Sequence, residues 1–135
     1  MRMASGVERA LAVVGACVVA GYVALGAQSG TGTLKLLGGR AGAEGKSCGV
    51  APHWTYYRVG GIVKFVGRAG APLTSVHLVI WRCYASGFRI VETVPAHVTS
   101  TGAFKGSFAV NVHSDCFAQA ASDGWRSNRA YFRVR

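Results

Sequence analysis

From Trp54 onward, apolar residues recur at every second position rather than every third or fourth, and this period limits the fold more than any other feature of the chain. Within residues 103–113, Phe104, Phe108, Val110 and Val112 share one face with Gly106, while Lys105, Ser107, Asn111 and His113 share the other. That is the pattern of a strand buried on one side. The last run repeats it, with Ala130, Phe132 and Val134 alternating with Arg129, Tyr131, Arg133 and Arg135. Further strands are expected at residues 55–59, 62–68, 76–84, 88–94 and 116–121, with a short one around 97–100. Turn residues divide them at Gly60-Gly61, Gly70-Ala71-Pro72, Ser86-Gly87, Thr101-Gly102 and Asp123-Gly124. Short strands at roughly ten-residue spacing without intervening amphipathic helices predict an all-β sandwich or small barrel, antiparallel because crossover helices are missing.

Aromatic residues locate the folded part: thirteen of the fourteen lie from Trp54 to Phe132, and only Tyr22 precedes them. Residues 28–53 are rich in glycine and poor in bulky apolar side chains, which predicts a flexible spacer, because such a stretch buries too little surface to offset its ordering entropy. The domain is therefore expected at 54–135. Residues 1–27 are a different object. Arg2 and Arg9 precede an uncharged, mostly apolar run over 10–27 that closes on small residues, the order of an export signal. The run also approaches the roughly 20 residues of a spanning helix, so an uncleaved N-terminal anchor helix is the alternative. Val14-Gly15-Ala16-Cys17 resembles a bacterial lipobox, which would make Cys17 an acylation site and the protein a lipid-anchored envelope lipoprotein. All three routes place the domain outside the cytoplasm.

Three motifs carry a resemblance: Gly102-Ala103-Phe104 continuing to Phe108, Cys116-Phe117-Ala118-Gln119-Ala120, and Ser127-Asn128 continuing to Arg133-Val134. Together they resemble the closing strands of small immunoglobulin-like β-sandwich modules exported by high-GC Gram-positive bacteria. The resemblance implies an antiparallel immunoglobulin-like sandwich at the cell surface and carries no catalytic residue over.

An exported chain sits where disulfides persist. Cys83 and Cys116, each on a strand-like run, are the expected pair, closing a loop that contributes roughly 3 to 4 kcal/mol. Cys48 is then free, paired between chains, or a competitor for one of the two. The same cysteines with His53 and His113 have zinc-type donor atoms but no recognised zinc spacing, so no metal is expected. Residues 39–47 nearly match a phosphate loop, with five residues between the outer glycines instead of four and no helix to follow. No cofactor is expected. A small secreted hydrolase, using a His/Asp/Ser set assembled in space around Asp115 or Asp123, is the rival class; no local motif announces it.

Charge is the most suggestive functional feature. The chain carries 15 Lys+Arg against 5 Asp+Glu, a net +10. Arg126, Arg129, Arg133 and Arg135 crowd the C-terminus, and Lys105 with Arg58 or Lys64 on neighbouring strands would widen their face into a cationic patch. Such a patch attracts anionic cell-wall polymers, acidic glycans, anionic lipid or extracellular DNA by charge, without sequence-specific reading of nucleic acid. Trp125, beside a turn, and Tyr131 are the aromatic candidates for ligand contact. The expectation is a non-enzymatic module with a structural or binding role at the cell envelope.

Overall fold

The computed structural model describes residues 30–42, 45–70 and 72–135. The signal or anchor expected at 1–27, with Cys17, lies outside the described residues. The chain divides into two compact units. In the smaller, the described residues are Gly30, Thr31 and Asp123–Arg126, where Gly124 turns the chain at φ 69° and Trp125 is buried. The larger comprises Gly32–Ser122 and Ser127–Arg135.

Among the described residues the chain is all β: β1 (Gly30–Leu37), β2 (Arg40–Ala41), β3 (Thr55–Tyr57), β4 (Gly61–Arg68), β5 (Ser75–Tyr84), β6 (Gly87–His97), β7 (Ala103–Val110), β8 (Ser114–Ser122), β9 (Trp125–Ser127) and β10 (Ala130–Val134). They form a mixed sheet in which two ladders organise the larger unit. The first runs β2-β3-β10-β8-β5-β6 and the second β1-β4-β7. Every pairing in the two ladders is antiparallel except β3 with β10, where Phe132, Arg133 and Val134 run alongside Thr55, Tyr56 and Tyr57. The expectation of a wholly antiparallel sheet is corrected there. The long intervening chain gives β10 room to return beside β3 in the same direction.

Alternation decides which faces are buried. In β4 and β7, Val63, Phe65, Phe104, Phe108 and Val110 turn inward, and in the first ladder so do Leu78, Ile80, Cys116, Ala118, Phe132 and Val134. The two inward faces meet, with the Phe108 and Phe132 rings 5.7 Å apart. Small residues make room for large ones: Gly106 stands opposite Phe65, and a Cβ there would lie 2.6 Å from that ring. The strand at 103–113 ends earlier than expected, at Val110, and Val112 is 48% exposed. Pro95, which lacks an N–H, is tolerated within β6 because that strand is an edge of its ladder.

Within the stretch expected as a spacer, the described residues 30–42 and 45–53 include two strands that pair with the rest of the fold. Leu34 is buried, β1 pairs with β4 from Thr33 to Leu37, and β2 pairs with β3. A glycine-rich strand gains its stability from the ladder it joins rather than from its own apolar side chains. Asn128 reinforces the join: its amide Oδ1 accepts from Leu34 N at 2.8 Å and its Nδ2 donates to Leu34 O at 3.1 Å.

The disulfide is also corrected. Cys83 is bonded to Cys48, with Cα atoms 5.8 Å apart, and Cys116 is a buried free thiol. Strand register explains this. Cys116 stands opposite Arg82, so Cys83, one residue on, projects from the other face of the ladder. On that outer face lies the segment around Cys48, which turns tightly between Ser47 and Val50 with positive φ at both Cys48 (47°) and Gly49 (81°).

Candidate functional site

The outer face of the first ladder is an aromatic and cationic cluster rather than an open basic strand. Register brings Phe117 opposite both Trp81 and Tyr131, and Asp115 opposite Arg133. Phe117 stacks on Trp81 at 5.5 Å and meets the edge of Phe88 at 4.9 Å. Tyr131 packs at 5.4 Å from Phe117 and edge-on to Trp54 at 5.7 Å. Two arginines cap these rings: Arg129 lies 4.5 Å over Phe117 and Arg133 4.4 Å over Trp54. The Trp54 indole N–H donates to Gly45 O at 2.8 Å, so the segment clamped by the disulfide is also held at the aromatic cluster.

Asp115 is the counter-ion of the terminal strand. Its Oδ1 accepts from Arg133 Nε at 3.1 Å and from Arg135 Nη2 at 2.7 Å. Partial burial pushes the Asp115 carboxyl up, but the Ser47 hydroxyl and the two guanidinium groups outweigh it and hold it below the usual carboxylate value. Cys116, on the opposite face, donates to Ser114 Oγ at 3.4 Å, and burial pushes its thiol up, so it is a protonated core group.

Within the larger unit, Arg129, Arg133 and Lys105 do not form one open basic surface. Arg133 is 9% exposed and committed to Asp115 and Trp54, whereas Arg129 is exposed but laid on Phe117. Arg126 is exposed in the smaller unit. Trp125, expected to be exposed at least in part, is 2% exposed. Lys105 stands on the second ladder, on the same outer face as Lys64. Tyr131 is half-buried among rings rather than free for a ligand.

Arg135 joins a different group. With Arg40, Arg58, Tyr56 and Tyr57 it lines a groove of about 390 Å³ at the β2-β3-β10 edge. Arg40 stands opposite Tyr56, and the Tyr57 hydroxyl donates to Leu37 O at 2.9 Å. Burial pushes the Tyr57 phenol up, so it stays neutral. No acid lines the groove. The glycine-rich composition around Arg40 carries no local signal of a site, and Arg58 is expected from sequence only beside the basic patch. Their common signal is position: each flanks the Thr55–Tyr57 strand or its partner.

Among the described residues no hydrogen bond or ion pair links a histidine to an aspartate or a serine. No three His, Cys, Asp or Glu residues among them come together as metal ligands. Cys48 and Cys83 spend their thiols on each other. No protein-family model matches the chain, and no curated protein is significantly similar to it.

Proposed function

We propose that this chain is an exported, non-enzymatic immunoglobulin-like sandwich module that holds anionic polymers of the cell envelope. The observation carrying the proposal is the groove of Arg40, Arg58 and Arg135 walled by Tyr56 and Tyr57. Guanidinium groups present paired donors that match phosphate, carboxylate or sulfate oxygens, and the half-buried Tyr56 ring suits the apolar side of a sugar ring or polyol. Arg135 is already paired with Asp115, so Arg40 and Arg58 are the groove cations with no ion pair among the described residues. Export is supported by the basic-then-apolar order of residues 1–27 and by compatibility of the Cys48–Cys83 bond with an oxidising compartment.

The test is titration of the full chain with a poly(glycerol phosphate) polymer and with neutral dextran as control. Binding to the polyanion should weaken steeply from low to physiological salt, and R40Q/R58Q should lose about tenfold or more in affinity. Salt-independent binding, or a double variant indistinguishable from the parent, overturns the groove as the site.

A further inference from the structure

The second ladder has an outer face that the groove does not use. Thr33, Lys35 and Leu37 of β1 stand opposite Arg68, Val66 and Lys64 of β4, and Lys105 of β7 stands opposite Val66. Strand alternation puts all of these side chains on the side away from the core. Lys35, Lys64, Arg68 and Lys105 are exposed, and no acid occurs in β1, β4 or β7. None of the three lysines has a hydrogen bond or ion pair with any described residue, whereas Arg68 Nη1 donates to Thr101 O at 2.7 Å. Aliphatic side chains lie among the cations: Ile62 is 61% exposed and Leu37 36%.

We propose that this face rests on an anionic lipid surface. Charge complementarity supplies the attraction, because three unpaired lysines and an arginine on one acid-free pleat meet a negatively charged leaflet without a repelling group. The aliphatic residues select lipid over a soluble polyanion. Ile62 and Leu37 gain nothing from a hydrated polymer, but at the headgroup boundary they meet acyl carbon while neighbouring lysines extend to phosphate. Chain length adds a third argument, and this one rests on reading residues 10–27 as a membrane anchor. Thr33, where the β1–β4 register begins, follows Ala27 by six residues, a reach of at most roughly 20 Å. A chain anchored there would keep Thr33 within that reach of the bilayer, and the arginine groove, on another ladder, is left for a second ligand.

The four lysines make the test internal to the native chain, since Lys46 lies in the disulfide-clamped segment of the first ladder and the other three lie on the proposed face. Full-length protein is bound to vesicles of phosphatidylglycerol with phosphatidylcholine, or of phosphatidylcholine alone, and acylated briefly with a water-soluble amine reagent before peptide mass mapping. On the anionic vesicles Lys35, Lys64 and Lys105 should react about fivefold more slowly than on neutral ones, with Lys46 unchanged and protection fading at high salt. Equal rates on both vesicles, or protection of Lys46 alongside the rest, overturns the proposal. Protection by soluble poly(glycerol phosphate) but not by vesicles also overturns it in favour of a polymer on this face. The R40Q/R58Q result is independent of this readout, so failure of the groove and failure of the lipid-facing surface are distinguishable.

Discussion

Arg133 shows how much a residue's role depends on what its strand brings opposite. Alternation put it on an outer face, and an arginine there is ordinarily solvated. Here the face is roofed by Trp54 and the disulfide-clamped segment, so its guanidinium lies over an indole and its Nε donates to Asp115. Arg133→Gln removes one of the two guanidinium partners of Asp115 and the cation over the Trp54 ring, and should cost about 2 kcal/mol in denaturant unfolding. The same pair sets a pH dependence. The Asp115 carboxyl is lowered in the folded state, so its contribution is full above the ordinary value of 3.8 and is lost as pH falls through the native value. Asp115→Asn should therefore be less stable than the parent at neutral pH and lose less stability on acidification toward pH 2, as followed by melting temperature. Parallel acid limbs in the two proteins would remove Asp115 as the titrating group.

Strands were legible where both faces carried a signal over several residues and illegible where the strand opened on glycines or was very short. The alternations at 103–110 and 130–134 identify β7 and β10 directly, and Phe104, Phe108, Phe132 and Val134 are buried as their pattern requires. β1 alternates only over Thr33–Leu36 after two glycines and β2 is two residues long; their order comes from β4 and β3, partners that a local reading does not supply. Pairing also decided the cysteines. Cys83 and Cys116 do lie on neighbouring strands, β5 and β8, but Cys116 registers with Arg82, and a one-residue offset puts two side chains on opposite faces. Register of this kind is written in both strands together and in neither alone. The bond that forms instead ties the Cys48 turn across the outer face and closes a 35-residue separation. On the chain-entropy argument C48S/C83S should lose roughly 3 to 4 kcal/mol. It should also weaken the near-ultraviolet circular dichroism of the Trp54 cluster before global unfolding. Cys116 should resist alkylation in both proteins until they unfold, and rapid native-state labelling would contradict its place in the core.

At the scale of the whole molecule, the +10 charge separates by residue type as well as by position. Arginines concentrate on the first ladder, where Arg129 and Arg133 lie on rings, Arg133 and Arg135 share Asp115, and Arg40 and Arg58 face the groove. Lysines concentrate on the second, where Lys35, Lys64 and Lys105 have no partner among the described residues. This division follows from side-chain chemistry: a planar guanidinium stacks and makes forked bonds at little desolvation cost, whereas an ammonium on a flexible stem favours water. It makes the two sets of cations opposite in their effect on stability. An unpaired cation on a strongly basic chain adds self-repulsion and no contact, so K35Q/K64Q/K105Q should melt at the same temperature as the parent or higher at low salt, the difference shrinking as salt is added. R129Q/R133Q removes the same kind of charge but also two cation-ring contacts and the Arg133–Asp115 bond, and should melt lower at every salt concentration. Thermal melts across salt concentration compare the two directly. If both sets shifted the melting temperature in the same direction and vanished together in high salt, net charge alone would account for them and the arginines would have no packing role.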